Sequence, residues 1–301
     1  KQKTAYEIPK RDWSSDVCSS DLRGLRGSGL DYKVQPTQAL RWQPSLLPSQ
    51  FEDSVVMPDQ SHTEIVRYHA VGREFASYLA YDPAREGKRP GLIVLPEWWG
   101  LNDYLRRRAR ELAGLGFVAM ATDVYGDGRE AADSGEAGTL MNGLFTDVAA
   151  LGERLKAAYE TLRAHPLVDP DRIGAMGYCL GGALSLHMGR IGLPLRGVAS
   201  FHGALRAAHQ AKKGEFKPAV LICHGEADGM VPAEDQAAFH KEMEDLGADY
   251  EFHSYPGAKH GFTNPEATDK GKKYNLPLAY DERTDRQSWE DMKTFWAKVF
   301  R

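Results

Sequence analysis

Three cysteines in 301 residues are too few to build a disulfide framework in a chain of this size. Cys179 and Cys223 have no metal-ligating neighbour at C-x-x-C spacing, so no zinc site is expected, and neither is any other metal or cofactor. The formal net charge is only −4 and no sustained basic stretch occurs, which argues against a nucleic-acid partner. No apolar run approaches the ~20 residues needed to span a bilayer, so no membrane partner is expected. The run Arg106-Arg107-Arg108 is short, falls in a predicted helix and reads as a solvated face. Internal repeats are also lacking.

What is present fits one sizeable α/β domain. Residues 12–22, Asp-Trp-Ser-Ser-Asp-Val-Cys-Ser-Ser-Asp-Leu, have neither periodicity nor a capping pattern, and residues 1–22 read as a translated artefact, set aside with Cys18. Residues 23–60, rich in Gly, Pro, Gln and Ser, read as an extended or disordered arm, which leaves 61–301 as a single domain. Free thiols make the cytoplasm the expected compartment. The periplasm stays open, because the native N-terminus is missing on this reading.

The domain opens with two strands, Thr63 to Tyr68 and Phe75 to Tyr81, whose Val71-Gly72 junction suits an antiparallel hairpin. Gly91 to Leu95 and Phe117 to Ala121 are continuous apolar runs, the pattern of strands buried on both faces of a parallel sheet. Between them a helix capped by Asn102 or Asp103 runs to Leu115. A loop rich in Gly and Ala follows, then a helix from about Leu144 to Ala164. Further strands are expected at Arg172 to Met176, Gly197 to Phe201, Ala219 to Cys223 and Tyr250 to Tyr255. Helices are expected from Ala183 to Arg190, Pro232 to Leu246 and Ser288 to Phe300. This alternation predicts a mainly parallel, doubly wound α/β sheet with an antiparallel N-terminal edge hairpin. Ligands of such sheets sit at the carboxyl ends of the strands.

Those ends carry polar residues that a core does not need. Gly177-Tyr178-Cys179-Leu180-Gly181-Gly182 joins a strand to a helix and has the form of a nucleophile elbow, with Cys where Ser is usual. Asp228 follows another strand and His260 the last one, which gives nucleophile, acid and base in the order of the α/β-hydrolase fold. A thiol needs a base to react quickly, His260 can take and return its proton, and Asp228 can fix the imidazole tautomer. Glu226 competes for the acid position; Asp228 lies deeper in its loop and is preferred. The Leu180 amide points into the elbow turn as an oxyanion donor. Glu97, flanked by Trp98 and Trp99, is a carboxylate at a buried strand end and needs a partner such as a thiol or arginine. Tyr125 is expected in the pocket, and His202 and His224 in supporting or packing positions.

From Thr63 onward the chain resembles the dienelactone hydrolase family. The resemblance is carried by Pro96-Glu97-Trp98-Trp99-Gly100, the elbow, Ser200-Phe201-His202-Gly203, Gly225-Glu226-Ala227-Asp228 and His260-Gly261-Phe262. It implies that Cys179, Asp228 and His260 form a triad and that the Trp98 amide is the second oxyanion donor. It also implies that Glu97 interacts with the resting thiol and helps switch it on, and that no cofactor is used. The substrate implied is a small lactone or ester, hydrolysed through an acyl-thioester by a monomer or small homo-oligomer. The family's pocket arginines hold a substrate carboxylate, one of them shortly after the catalytic histidine. Here His260 is followed by Gly261-Phe262-Thr263-Asn264-Pro265, which points to broader lactone or ester hydrolysis. The alternative is a non-catalytic relative that uses the same fold for ligand binding or sensing.

Overall fold

The computed structural model describes residues 61–301; the expectations for residues 1–22 and 23–60 lie outside the described residues. In chain order the elements are β1 (His62–Ala70), β2 (Arg73–Tyr81), β3 (Arg89–Leu95), α1 (Asp103–Gly114), β4 (Val118–Ala121), α2 (Ser134–Phe145), α3 (Val148–Arg163) and β5 (Val168–Tyr178). They continue with α4 (Leu180–Arg190), β6 (Gly197–Phe201), β7 (Ala219–Gly225), α5 (Ala233–Leu246), β8 (Tyr250–Tyr255), α6 (Ala267–Tyr274) and α7 (Glu282–Val299).

One sheet holds the eight strands in the order β1-β2-β4-β3-β5-β6-β7-β8. β2 is antiparallel to both its neighbours, and the other pairs run parallel. The continuous apolar runs have a simple cause: alternate side chains serve two cores. Ile93, Leu95, Val118, Met120, Val198, Val220 and Ile222 face the core closed by α3, α4 and α5. Leu92, Val94, Ala119, Ala121, Ala199, Leu221 and Cys223 face the core closed by α1 and α7. No helix among the described residues is long and apolar enough to cross a membrane.

Register places the chemistry. Leu95 pairs with Gly177, Tyr178 with Phe201, Phe201 with Cys223, and Gly225 with Tyr255. The chain segments after β3, β5, β6, β7 and β8 therefore leave along one rim of the sheet. The order reverses between β3 and β5, so the loops bearing Glu97 and Cys179 flank the switch point where such sheets bind ligands.

Three local expectations are corrected. The stretch read as a loop before a single long helix is two helices, α2 and α3, with N-caps Asp133 and Asp147 accepting from Glu136 N and Ala150 N. Gly135, Gly138 and Gly143 dilute the helical signal of α2 by ~1 kcal/mol each, and packing restores it: Ala137 and Leu144 are buried and Leu140 and Met141 pack against the core. The last helix begins six residues earlier than expected, at Glu282, capped by Asp281 accepting from Thr284 N. Arg108 is not part of a solvated face: it is buried, with its guanidinium on the Thr263 carbonyl (2.9 Å), Glu111 (3.0 Å) and Asp285. It also lies over the rings of Tyr104, Tyr178 and Trp289. A buried guanidinium is tolerable only when charge and hydrogen bonds compensate it, and here α1, α7 and the His260 loop supply them together.

Candidate active site

The elbow is built by β5 and α4. Cys179 sits between them at φ +54°, a region that non-glycine residues rarely adopt and that marks strain at a functional turn. The turn needs bare backbone beside it. A Cβ on Gly177 would lie 2.3 Å from the Gly181 backbone, and one on Gly181 would lie 2.2 Å from the Leu95 carbonyl oxygen. Leu180 is the first residue of α4, so helix geometry leaves its N–H without an intrahelical acceptor.

His260 and Asp228 meet across the β7 and β8 loops. His260 Nδ1 is 2.8 Å from Asp228 Oδ2, and both side chains are almost completely buried. Asp228 Oδ1 accepts from Met230 N–H at 2.9 Å, which fixes the carboxylate plane. Glu226 is exposed, and of the two candidate acids it is Asp228 that bonds His260. His260 Nε2 is buried and meets no geometric hydrogen-bond partner, while the Cys179 sulfur lies within electrostatic reach of the ring. Burial opposes the imidazolium, but Cys179 and Asp228 outweigh it and hold the His260 pKa well above its ordinary value. Catalytic hydrogen bonds are often long in an unliganded enzyme and tighten around the substrate.

His202 stands behind His260 rather than beside open space. It is buried, its ring edge-on to His260 at 5.1 Å, and its Nε2 lies 2.8 Å from the Thr263 hydroxyl. Burial, with the neighbouring His260, lowers the His202 pKa far enough to keep it neutral. The Thr263 hydroxyl also bonds Tyr104 OH at 2.7 Å, which continues the polar chain into α1. His224 is likewise buried, and packs against Phe252.

Glu97 finds neither thiol nor arginine as its hydrogen-bond partner. Asn264 Nδ2 donates to its Oε2 at 2.7 Å, with both residues buried. Sequence reasoning missed Asn264, and only its place four residues beyond His260 could have flagged it. Burial is the main cause that raises the Glu97 pKa from 4.5; the Asn264 hydrogen bond and the charges of Lys270 and His260 offset part of it. A carboxyl whose folded pKa lies above its unfolded one loses stability as pH climbs from about 4.5 through the folded value. Glu97→Gln removes that penalty without changing shape. The variant should melt a few degrees above the native protein at about pH 8 and level with it at about pH 4. An equal difference at both pH values would show that Glu97 is not a buried titrating carboxyl.

Trp99 is buried against Trp98 (ring centroids 5.2 Å apart) and Tyr274 (5.5 Å), with Lys270 Nζ 4.8 Å above its ring. Trp98 is half-buried, and α2 approaches it at Gly138. Tyr125 is buried, and its hydroxyl donates to the Trp98 carbonyl oxygen at 2.9 Å. No cluster of three or more His, Cys, Asp or Glu side chains able to hold a metal ion occurs among the described residues.

A mainly parallel eight-stranded sheet in this order, with a strained elbow and an acid–histidine pair on one rim, defines an α/β-hydrolase. The chain belongs to the dienelactone hydrolase family, whose model matches residues 75–300. A dienelactone hydrolase-like promiscuous phosphotriesterase from metagenomic libraries is 33% identical in sequence, with a TM-score of 0.76, the match covering 80% of this chain and 100% of that one. The structure named m3DLH is 37% identical at the same TM-score and coverage. A Bradyrhizobium sp. protein named "Probable 2-oxo-3-(5-oxofuran-2-ylidene)propanoate lactonase" is 29% identical over 204 residues, 64% of this chain and 82% of its own length. The chain is thus an enzyme of the lactone and ester hydrolase class.

Proposed function

We propose that Cys179 hydrolyses neutral lactones or esters through an acyl-thioester. The observation that carries this reading is the buried His260–Asp228 pair, 2.8 Å long, beside a cysteine on a strained elbow. His260 takes the thiol proton through Nε2 as sulfur attacks the carbonyl carbon. The electron pair displaced onto oxygen is met by the amides of Leu180 and Trp98. Collapse expels the alkoxide, which leaves with the proton from His260, and water activated by the same nitrogen then releases the acid and regenerates the thiol. Asp228 keeps the Nδ1 proton in place throughout. Glu97, held by Asn264, lies within electrostatic reach of His260, and its proposed part is to assist the thiol from there.

The preference for neutral substrates follows from the charges nearby. Position 264 is an asparagine already committed to Glu97, and Lys270 is paired with Glu266 at 2.8 Å. A substrate carboxylate therefore finds no unpaired cation among these neighbours of Glu97. A panel of neutral lactones, short-chain aryl esters and carboxylate-bearing dienelactones tests the assignment. kcat/KM should be at least about tenfold higher for the neutral members, the scale of ~1.4 kcal/mol of differential binding. Equal or better turnover of the anionic lactones would overturn the charge preference.

A further inference from the structure

The two peptides that follow the Trp98 amide are held in place by a second loop. The Trp98 carbonyl accepts from Tyr125 OH at 2.9 Å, and the Trp99 carbonyl accepts from Ala131 N–H at 2.8 Å. Residues 100 and 130 form a β-bridge, and Leu101 N–H donates to the Arg129 carbonyl at 3.3 Å. All these partners lie in the segment that leaves β4, residues 122–131.

That segment turns around one buried carboxylate. Asp123 is 2% exposed. Its Oδ1 accepts from the N–H groups of Tyr125 (3.0 Å) and Gly126 (2.8 Å), and its Oδ2 from those of Gly128 (2.7 Å) and Ala76 (3.0 Å). Arg73 and Arg154 close the outside, donating to the carbonyls of Tyr125 (2.7 Å) and Val124 (3.3 Å). Hydrogen bonds to an ionised acceptor are roughly twice as strong as neutral ones, so four of them around one carboxylate make a stiff mould. The Tyr125 ring is itself buried, and its hydroxyl proton is already committed to Trp98, which leaves it no donor for a ligand.

We infer that Asp123 and Tyr125 are positioning residues that fix the Trp98 N–H as an oxyanion donor. The inference rests on the reading of Cys179 and Trp98 given above. Donors aimed in advance at developing charge stabilise a transition state because nothing reorganises when the charge appears. The Trp98 N–H belongs to the preceding peptide, 97–98, whose Glu97 carbonyl accepts from Gly100 N–H at 3.0 Å. Without the Tyr125 hydroxyl the 98–99 peptide can rotate, and the turn at Trp98 that aims the N–H loses its anchor.

Two reactions of one sulfur separate this role from a structural one. Ester hydrolysis passes through an oxyanion. Alkylation by iodoacetamide does not: the thiolate forms an S–C bond and iodide leaves with its electron pair. Tyr125→Phe should lower kcat for p-nitrophenyl acetate by about tenfold to a hundredfold. The rate of Cys179 alkylation should stay within about twofold of native. Asp123→Asn should shift hydrolysis in the same direction, because its amide group cannot accept the N–H bonds that one carboxylate oxygen now takes. Hydrolysis within about twofold of native in Tyr125→Phe would overturn the inference, as would alkylation falling in step with it. So would an Asp123→Asn protein of native melting temperature and native hydrolysis beside an impaired Tyr125→Phe, since the hydroxyl would then act on substrate directly. Cys179→Ala run alongside keeps the two readings apart: hydrolysis surviving there removes the thiol mechanism, whatever Tyr125→Phe does.

Discussion

Cys179→Ala is expected to lower kcat/KM for a neutral activated ester by about 10⁴-fold or more, while the melting temperature stays close to native. Removing the nucleophile of a catalytic unit costs on the order of 10⁶ in kcat, and what remains comes from the oxyanion donors and binding. The fold should tolerate the change for a local reason. Alanine keeps the Cβ that already sits at φ +54°, so the elbow strain is the same in both proteins. Cys223 cannot take over. It is fully buried in β7, burial raises its thiol pKa far above the usual range, and Tyr255 OH bonds its sulfur at 3.4 Å. Native-like turnover in the variant would remove Cys179 from the chemistry.

Asp228→Asn should cost about 10⁴-fold in kcat, with little change in the melting temperature at alkaline pH. The carboxylate presents Oδ2 to His260 Nδ1 and Oδ1 to Met230 N–H. An asparagine whose oxygen stays with Met230 turns its NH₂ toward Nδ1, so the imidazole proton moves to Nε2, the nitrogen that must accept from the thiol. The same substitution removes one of the charges that hold the His260 pKa up against burial. A base with a raised folded pKa contributes stability that is full below about 6.5 and lost as pH rises through the folded value. The gap in melting temperature between native and variant should therefore be widest near pH 6 and close on the alkaline side. A rate loss below about tenfold would mean that Asp228 does not set the tautomer.

Much of this site was legible in the sequence, and the reasons are local. The elbow is a short motif whose glycines answer to backbone clashes within a few residues of Cys179. The strands announced themselves because burial on both faces demands uninterrupted apolar runs such as Leu92 to Leu95. Chain order then placed Asp228 and His260 after the right strands. The errors cluster where local preference is weak or opposed. α2 carries three glycines, and the tertiary contacts of Ala137 and Leu144 hold it helical. Arg108 looked like a surface charge because nothing within a turn or two reveals that Asp285, 177 residues away, would meet it inside the molecule.

By itself, then, the sequence determined the class of fold and the strand ends at which chemistry collects, and it offered Cys179, His260 and two candidate acids as the proposed machinery. These follow from periodicity and from spacing along the chain, which are properties of neighbours. Only the tertiary structure decided between Glu226 and Asp228, supplied Asn264 as the partner of Glu97, set His202 behind His260, and turned the Tyr125 hydroxyl onto the Trp98 carbonyl. Each is a contact between residues tens to well over a hundred positions apart, made specific by sheet register and by the need of buried polar groups to be hydrogen-bonded, and neither condition is written in a local run of residues.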